Sequence, residues 1–447
     1  MSILRDLAGF VCGASAESLP QAERAIQRRH VADALVAATV GARTAEGRAL
    51  RAVLPKDSVA ASVGIQAAIV RHTEIDDIHT PSCTTPSSIA VPAAIGLAHA
   101  SGMFDPERVA SAIWVGTELM TRLGAAIDGA RILYRGVWPT YFAAPLGTAA
   151  VTARMASMTV DQTTHALSLA LMRTAGRSGR FHGPIPGRSV ILAMAVADGV
   201  RAAEAAREGI GADPDLLDGP WLRDAQGLNA DLDALTSGLG RSSVYPQLSL
   251  KPFCSAKQAL AAIEALTTLI DDEGFAPGTI SKVIVRVPPP YLRMISTKPE
   301  AGSRSSTIVS AGYQLGLAAF ARPRLYDVDR ADGTLEPAAL AFAKKVEIVP
   351  DESLLEFFPA SFPAEVELIA GGKLQRKRVT VATGDPFRPI DDQALEQKAQ
   401  RVFEQAGCPE SGSDLMRVGL HGFDSKDACK ALAAAMTTLT RGTAGVV

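Results

Sequence analysis

The sequence predicts a mainly α-helical protein, with a large all-α domain formed from both chain ends and a smaller α/β (α+β) domain between them. Apolar residues, many of them alanine, recur at helical spacing over most of the first 210 residues and again after residue 390. Between these parts, from about residue 280, polar and β-branched residues alternate as they do in strands. At 447 residues the chain exceeds the usual size of one hydrophobic core, so we expect two domains.

The first part of the chain is predicted to be helical because its apolar residues recur every three to four positions. Two helix starts have recognisable caps, since Pro106 follows Asp105 and Gln162 stands three residues after Thr159. The N-terminal 13 residues are predicted to form a short amphipathic helix. The other helices are predicted at 22–41, 59–72, 89–101, 106–126, 145–157, 160–171 and 189–208.

The smaller domain is predicted from four candidate strands and two helices. Gly371 and Gly372 indicate a hairpin turn between the last two strands. The strands are predicted at 281–287, 345–349, 364–369 and 377–382, and the helices at 306–320 and 336–344. We therefore predict an all-α domain at 1–255, completed by 390–447, and an α/β domain at 256–389.

The composition argues against several functional classes. The 45 Lys and Arg residues balance 47 Asp and Glu residues without a polybasic block, so we expect neither a nucleic-acid nor a membrane partner. The five cysteines are scattered, without a CxxC pair, which indicates a reducing compartment. There is no signal-peptide pattern, and no apolar run reaches the roughly 18 residues of a membrane span. We predict a soluble cytoplasmic protein.

Common cofactor and metal motifs are missing from the sequence. It contains neither a GxxxxGK[ST] loop nor a GxGxxG after a strand, and it lacks a GxSxG nucleophile elbow. Its seven histidines show no HxxxH or HExxH spacing. These observations predict neither a nucleotide cofactor nor a local zinc site.

A dense polar loop, 74–88, lies between two strongly apolar helices and is the first candidate site. It contributes Asp76, Asp77, His79 and Thr85. Loops with many acceptors, hydroxyls and an imidazole often line sites. The alternative is structural, with one aspartate capping a turn and one of the serines at the end of the loop capping the next helix.

A Gly- and Pro-rich bend carries the second candidate cluster. Guanidinium groups in a partly dry pocket bind carboxylates through two parallel hydrogen bonds. The alternative is a solvated basic loop. The cluster consists of Arg173, Arg177, Arg180, His182 and Arg188.

The third candidate is the segment 248–257, where the chain passes from the helical domain to the α/β domain. It contains Lys251 and Lys257, and a desolvated lysine acts as a base near neutral pH. The alternative is a surface lysine beside a proline turn. Tyr141 and Tyr313 are candidate acids or oxyanion donors, with a role in the core as the alternative for each.

Taken in order, these clusters resemble the MmgE/PrpD family, which includes 2-methylcitrate dehydratase, cis-aconitate decarboxylase and iminodisuccinate epimerase. The resemblance covers nearly the whole chain. It rests on Asp76-Asp77 with Pro86-Ser87, Gly147-Thr148-Ala149-Ala150, Phe181-His182-Gly183, Leu250-Lys251-Pro252-Phe253, the 310–313 stretch and Gly384-Asp385-Pro386-Phe387-Arg388-Pro389.

The resemblance implies a discontinuous helical domain, a smaller α/β domain and a homodimer. It also implies metal-free, cofactor-free chemistry in which a proton next to a carboxylate is removed or delivered between the two domains. On this basis Asp76, Asp77, His182, Lys251 and Tyr313 fall on family site positions.

The sequence departs from the family at two places. Dehydratases and decarboxylases of the family usually carry His-Pro-Ser where this chain has Thr85-Pro86-Ser87, and they tend to have a histidine where this chain has Trp138. Lys251 and Tyr141 are the candidate replacements for these proton carriers. The predicted catalytic residues are Lys251, Tyr141, His182, Asp77 and Tyr313, and the predicted substrate-binding residues are Asp76, His79, Thr85, Arg180, Arg188 and Lys257.

Three functions are consistent with these residues. The first is a lyase, either a dehydratase or a decarboxylase, that abstracts an α-proton from a small di- or tricarboxylate. The second is an epimerase or isomerase of a small dicarboxylate, which needs only two proton carriers. The third, suggested by the two replaced histidines, is a non-catalytic relative that binds a carboxylate.

Overall fold

The computed structural model of the chain describes residues 2–53, 58–176, 187–330, 335–409 and 412–441. Within these ranges the chain forms twenty α-helices and six β-strands. Helices α1–α10 are Ile3–Gly13, Gln21–Arg43, Ala45–Val53, Val59–His72, Ser87–Ser101, Pro106–Ala126, Gly129–Ile132, Pro139–Met155, Val160–Leu171 and Arg188–Arg207. Helices α11–α20 are Trp221–Asp224, Asp233–Thr236, Leu260–Glu273, Leu292–Ile295, Arg304–Val309, Ala311–Phe320, Pro337–Ala343, Asp392–Gln405, Gly412–Leu420 and Lys426–Arg441. Strands β1–β6 are Ile78–His79, Leu248–Ser249, Ile280–Val287, Val346–Pro350, Ala364–Ala370 and Lys373–Val379.

The predicted fold class is confirmed. Helices α1–α12 and α18–α20 form a helical body, and one hydrophobic cluster runs through it from Leu4 to Met436, so both chain ends share a core. Helices α13–α17 and strands β3–β6 form an α/β unit around a second cluster. None of the described helices is both long and apolar enough to cross a membrane. The exact domain limits, 255/256 and 389/390, stay predictions.

The helix starts with local caps lie where the sequence predicts them. Asp105 accepts a hydrogen bond from the backbone of Glu107, with Pro106 at the first helical position. Thr159 and Gln162 form a reciprocal capping box at the start of α9. Helices α4, α6 and α9 have the predicted bounds, since these starts depend on neighbouring residues alone.

Helix α8 differs from the prediction, which placed its start at Pro145. The helix begins six residues earlier, with Pro139 in its first turn and Pro145 in its interior. A proline inside a helix removes the amide that would bond the carbonyl four residues back, which here is the carbonyl of Tyr141. Burial of this whole stretch of α8 in the body outweighs that local penalty.

The sheet of the α/β unit has the strand order β4-β3-β5-β6, in which only β3 and β4 are parallel. The predicted hairpin turn is confirmed, because Gly371 and Gly372 have φ angles of 57° and 79° and Ala370 pairs with Lys373. This tight turn starts β6 at Lys373, so the predicted start at residue 377 is wrong. The predicted helix at 306–320 is likewise two helices, separated at Ser310, where ψ is 99°.

Two short strands bring the polar loop 74–88 against the segment that enters the α/β unit. Ile78 pairs with Ser249 and His79 pairs with Leu248. On the other side, the amide of Leu250 donates to the carbonyl of Gly384 at 3.0 Å. Lys251 therefore follows a segment held from both sides, at the join of the helical body and the α/β unit.

Candidate functional site

A cavity of about 100 Å³ lies between the helical body and the α/β unit. Both parts of the fold contribute to its wall. The lining residues that the argument uses are Arg71, Glu74, Thr85, Trp138, Tyr141, Arg188, Lys251 and Lys257.

Three cations surround the carboxylate of Glu74 in this pocket. Arg71 Nη1 lies 3.0 Å and Lys251 Nζ 3.1 Å from Glu74 Oε2, while Arg188 Nη2 donates to Glu74 Oε1. Arg71 comes from the last turn of α4, and Arg188 begins α10. The network therefore joins two helices of the body to the segment that enters the α/β unit.

Burial and the nearby charges shift the pKa of Glu74 in opposite directions. Burial alone would raise the pKa of its carboxyl, but the nearby charges of Arg71, Lys251 and Arg188 lower that pKa well below its ordinary value. The side chain of Glu74 is 8% exposed. It is consequently a fixed anion that holds three cations together in the wall of the pocket.

Asp76 lies behind Lys251 and is more deeply buried, with 2% of its side chain exposed. Its Oδ1 is 3.3 Å from Arg71 Nη1 and 3.4 Å from Lys251 Nζ. Its Oδ2 is buried without a hydrogen-bond partner among the described residues, and so is Arg71 Nε. Burial raises the pKa of Asp76 despite the opposing charges of Arg71 and Lys251. Burial therefore favours the neutral form of the Asp76 carboxyl more than water does.

Tyr141 lines the pocket from the first turns of α8. Its ring lies 4.8 Å from that of Trp138, the residue that precedes this helix. Burial raises the pKa of the Tyr141 hydroxyl, while the charges of Arg188 and Arg71 lower it, and the net direction is upward. The hydroxyl therefore stays protonated near neutral pH and is available as an acid.

Lys257 and Thr85 also line the pocket, but both are held by protein groups. The Lys257 ammonium donates to Asp385, which also accepts from Ser249 Oγ at 3.0 Å. Burial lowers the pKa of Lys257, against the charge of Asp385. The Thr85 amide donates to Thr140 Oγ1 at 3.0 Å. Lys257 contributes positive charge to the wall, and Thr85 contributes a hydroxyl.

Two residues of the polar loop, Asp77 and His79, support structure and do not line the pocket. Asp77 accepts from the backbone amide of Ser87 at 3.2 Å and from its hydroxyl at 2.6 Å, so it caps the start of α5. His79 Nδ1 lies 2.8 Å from Ser82 Oγ, and burial lowers its pKa to about 4. These contacts favour a structural role for Asp77 and His79.

Of the remaining predicted residues, Tyr313 is not brought to this pocket, and two others lie outside the described residues. Tyr313 lines a separate small cavity, and its hydroxyl accepts from the amide of Glu336 at 3.0 Å. Arg180 and His182, together with Arg177, lie outside the described residues. Their roles stay predictions that rest on the sequence.

Sequence reasoning missed Arg71 and Glu74 as pocket residues. The two residues stand three positions apart at the end of a helix, and side chains with this spacing lie on the same side of the chain. This spacing is the sequence signal that indicates an ion pair between them. Glu74 also adopts a left-handed backbone conformation, with φ of 61°, which is uncommon for a residue other than glycine. The sequence alone does not reveal that conformation.

The arrangement suits proton transfer on an anion. Arginine and lysine donors surround the cavity, a buried lysine contacts two carboxylates, and a protonated tyrosine lies in the same wall. Across the described ranges, no three His, Cys, Asp or Glu side chains come together as metal ligands. The arginine, lysine and tyrosine side chains of the pocket can bind carboxylates and exchange protons with a bound molecule.

Comparison with known proteins gives a family. The model of the MmgE/PrpD N-terminal domain matches residues 5–230, and that of the MmgE/PrpD C-terminal domain matches residues 253–412. A search of curated proteins finds no match. The two matches together span most of the sequence, from α1 to the beginning of α19. They include the lining residues of the pocket except Lys251, which lies in the gap between the two matches. The chain belongs to the MmgE/PrpD family.

Proposed function

We propose that the protein is a lyase that removes a proton from the carbon next to a carboxylate of a small di- or tricarboxylate and expels water or carbon dioxide. One observation carries the proposal: Lys251 and Tyr141 line the same cavity as Arg71 and Arg188. This combines a base, an acid and carboxylate-binding groups in one pocket. Membership of a dehydratase-like family supports the same reaction class.

Lys251 is the proposed base, and Asp76 is its partner. Lys251 Nζ lies 3.4 Å from Asp76 Oδ1, and burial raises the pKa of Asp76. When the ammonium gives its proton to this carboxylate, two buried charges disappear together and a neutral amine remains. That amine removes the α-proton of the substrate.

The arginines and Tyr141 are proposed to act on the substrate's charged groups. Arg71 and Arg188 bind its carboxylates, and they stabilise the negative charge that develops when the α-proton leaves. Tyr141 then donates a proton to the departing hydroxyl group in a dehydration, which leaves as water. In a decarboxylation the carboxylate leaves as carbon dioxide and its bonding electron pair stays on carbon, where a proton from Tyr141 replaces the lost group. The α-proton that Lys251 removed is returned to the substrate.

Epimerisation is the second candidate, and the composition of the pocket wall favours it. Thr85 and Trp138, which replace family histidines, both line the cavity, and no histidine is among its described lining residues. Lys251 and Tyr141 are then the two groups that remove and return the α-proton. Among the described lining residues, these two proton carriers are enough for an epimerisation.

The test is α-proton exchange in D₂O, followed by NMR with a panel of about twenty small di- and tricarboxylates. Exchange with loss of water or carbon dioxide supports the lyase, and exchange without net product supports the epimerase. Lys251→Ala should abolish both while circular dichroism shows an intact fold. Lys345→Ala is the matched control, because Lys345 also donates to a backbone carbonyl, that of Ile280 at 2.6 Å, but does not line the pocket.

Two outcomes refute the catalytic proposal. Exchange retained in Lys251→Ala removes the assigned base. An absence of exchange with every acid that binds would instead leave a non-catalytic carboxylate-binding protein. Binding is measured separately, by thermal stabilisation, because a ligand at 100 times its dissociation constant adds about 2.7 kcal/mol.

A further inference from the structure

Three successive peptide carbonyls beside the pocket each accept a hydrogen bond from a positively charged side chain of a distant part of the chain. Arg304 Nη2 donates to Thr73 O at 3.0 Å. Lys251 Nζ donates to Glu74 O at 3.3 Å, and Lys398 Nζ donates to Ile75 O at 2.7 Å. We name Thr73, Glu74 and Ile75 the acidic turn, because it carries Glu74 and leads directly into Asp76.

The acidic turn needs such partners for two reasons. Helix α4 ends at His72, so the carbonyls that follow it receive no bond from a continuing helix. Buried carbonyls must be paired, and Thr73 and Ile75 are fully buried. Glu74 also has a φ of 61°, a conformation that persists only where the surroundings enforce it.

Lys398 is the donor that lies farthest from the pocket along the chain. It belongs to α18, near the C-terminus, and its side chain is 3% exposed. Its ammonium is 2.6 Å from Asp33 Oδ1 on α2 and 2.7 Å from Ile75 O. The same ammonium therefore contacts both α2 and the acidic turn.

From these contacts we propose that Lys398 is a positioning residue of the active site, which holds the backbone between Glu74 and Asp76 so that both carboxylates meet Lys251 and Arg71. The inference rests on the proposed function for its catalytic consequence. It makes helix α18 part of the machinery of the site, although Lys398 is not among the lining residues of the cavity.

The experiment uses the full chain with both charges of the buried pair removed, as the double variant Lys398→Met with Asp33→Asn. Removing Lys398 alone would leave a buried aspartate without its cation and could unfold the protein. Lys345→Met is the matched control, since Lys345 also donates to a backbone carbonyl but lies away from the pocket. Lys398→Arg, which keeps a cationic donor, tests for rescue.

Two measurements are made on each variant. The first is amide hydrogen exchange by mass spectrometry, in which residues 73–79 should exchange at least tenfold faster in the double variant. Helices α2 and α18 should stay within twofold of the wild type. The second is α-proton exchange of the best substrate, in which kcat should fall at least tenfold and KM should change less than threefold, because the arginine side chains that bind the substrate belong to helices. Lys398→Arg should recover part of kcat.

The outcomes separate this inference from the proposed function. Unchanged amide exchange at 73–79 in the folded double variant overturns the positioning role. Equal loosening of α2 and α18 also overturns it, because Lys398 would then only join two helices. If the wild type turns over none of the acids, the proposed function fails, and amide exchange alone still decides whether Lys398 holds the acidic turn.

Discussion

Replacing Glu74 with glutamine tests the charge arrangement of the pocket most directly. The substitution keeps the shape of the side chain and removes the negative charge that three cations share. Arg71 Nη1 and Lys251 Nζ lie 3.0 and 3.1 Å from its carboxylate, and Arg188 contacts the other oxygen. We expect Glu74→Gln to destabilise the protein, because these cations would repel one another in a buried place.

The expected loss follows from burial. Breaking a buried ion pair by removing one partner costs about 3–5 kcal/mol, because the other charge remains buried without compensation. Glu74 is 8% exposed and Lys251 is 2% exposed, so solvent screens this pair little. The glutamine oxygen still accepts one hydrogen bond, which favours the lower end, about 3 kcal/mol. An exposed pair, by contrast, contributes about 0–1 kcal/mol.

The assay is urea unfolding of Glu74→Gln and of a control, Asp392→Asn. Asp392 pairs with Arg29, but 64% of its side chain is exposed, so its loss should cost less than about 1 kcal/mol. Malonate, a small dianion, should restore stability to Glu74→Gln more than to the wild type, because it supplies the missing negative charge. Equal stability of the two variants, or no preferential effect of malonate, would refute the assigned charge arrangement.

Three further predictions follow from individual residues. Burial lowers the pKa of His79 to about 4 from an ordinary value of 6.5, so between these pH values the unfolded chain binds a proton that the folded chain does not. Urea unfolding should therefore show that the free energy of unfolding falls by about 3 kcal/mol as the pH falls from 6.5 to 4. His79→Gln should remove that part of the pH dependence. Gly384→Ala should destabilise the protein by about 2–4 kcal/mol in the same assay, because a Cβ there would lie 1.9 Å from Leu250 O and the residue has a φ of 92°. In the control Gly278→Ala the added Cβ meets nothing within 4 Å, and stability should change by less than about 0.5 kcal/mol. Tyr141→Phe should lower kcat for α-proton exchange about 10²-fold or more and leave the circular dichroism spectrum unchanged, and full activity would remove Tyr141 as the acid.

Local features of the fold could be predicted from the sequence, and features set by distant contacts could not. The capping box of Thr159 and Gln162 involves residues three apart, so the pattern identifies it. The start of α8 was misplaced because Pro145 is unfavourable locally and tolerated only through burial. The two glycines predict the hairpin turn, but the start of β6 depends on its register with β5, and the sequence does not reveal that register.

The candidate site shows the same division. Lys251 was singled out because it stands where the chain changes from helices to strands, and it lines the pocket. The pairing of Asp33 with Lys398 spans 365 residues and leaves no local signal. The sequence predicts Asp77 as a catalytic residue, but in the structure it accepts hydrogen bonds from Ser87 at the start of α5, while the adjacent Asp76 contacts Lys251.

Without an imidazole among the described lining residues, proton transfer at neutral pH depends on groups that ordinarily titrate near pH 10. Burial keeps Tyr141 protonated, which suits an acid. A lysine used as a base must first lose its proton, and Asp76 offers the nearest carboxylate whose pKa burial raises and whose Oδ2 lacks a partner. The acidic turn keeps this carboxylate 3.4 Å from Lys251 Nζ, so the geometry of the turn governs the proposed proton transfer between the two groups. We therefore propose that this buried pair, whose geometry the surrounding fold maintains, carries the proton in place of the two histidines.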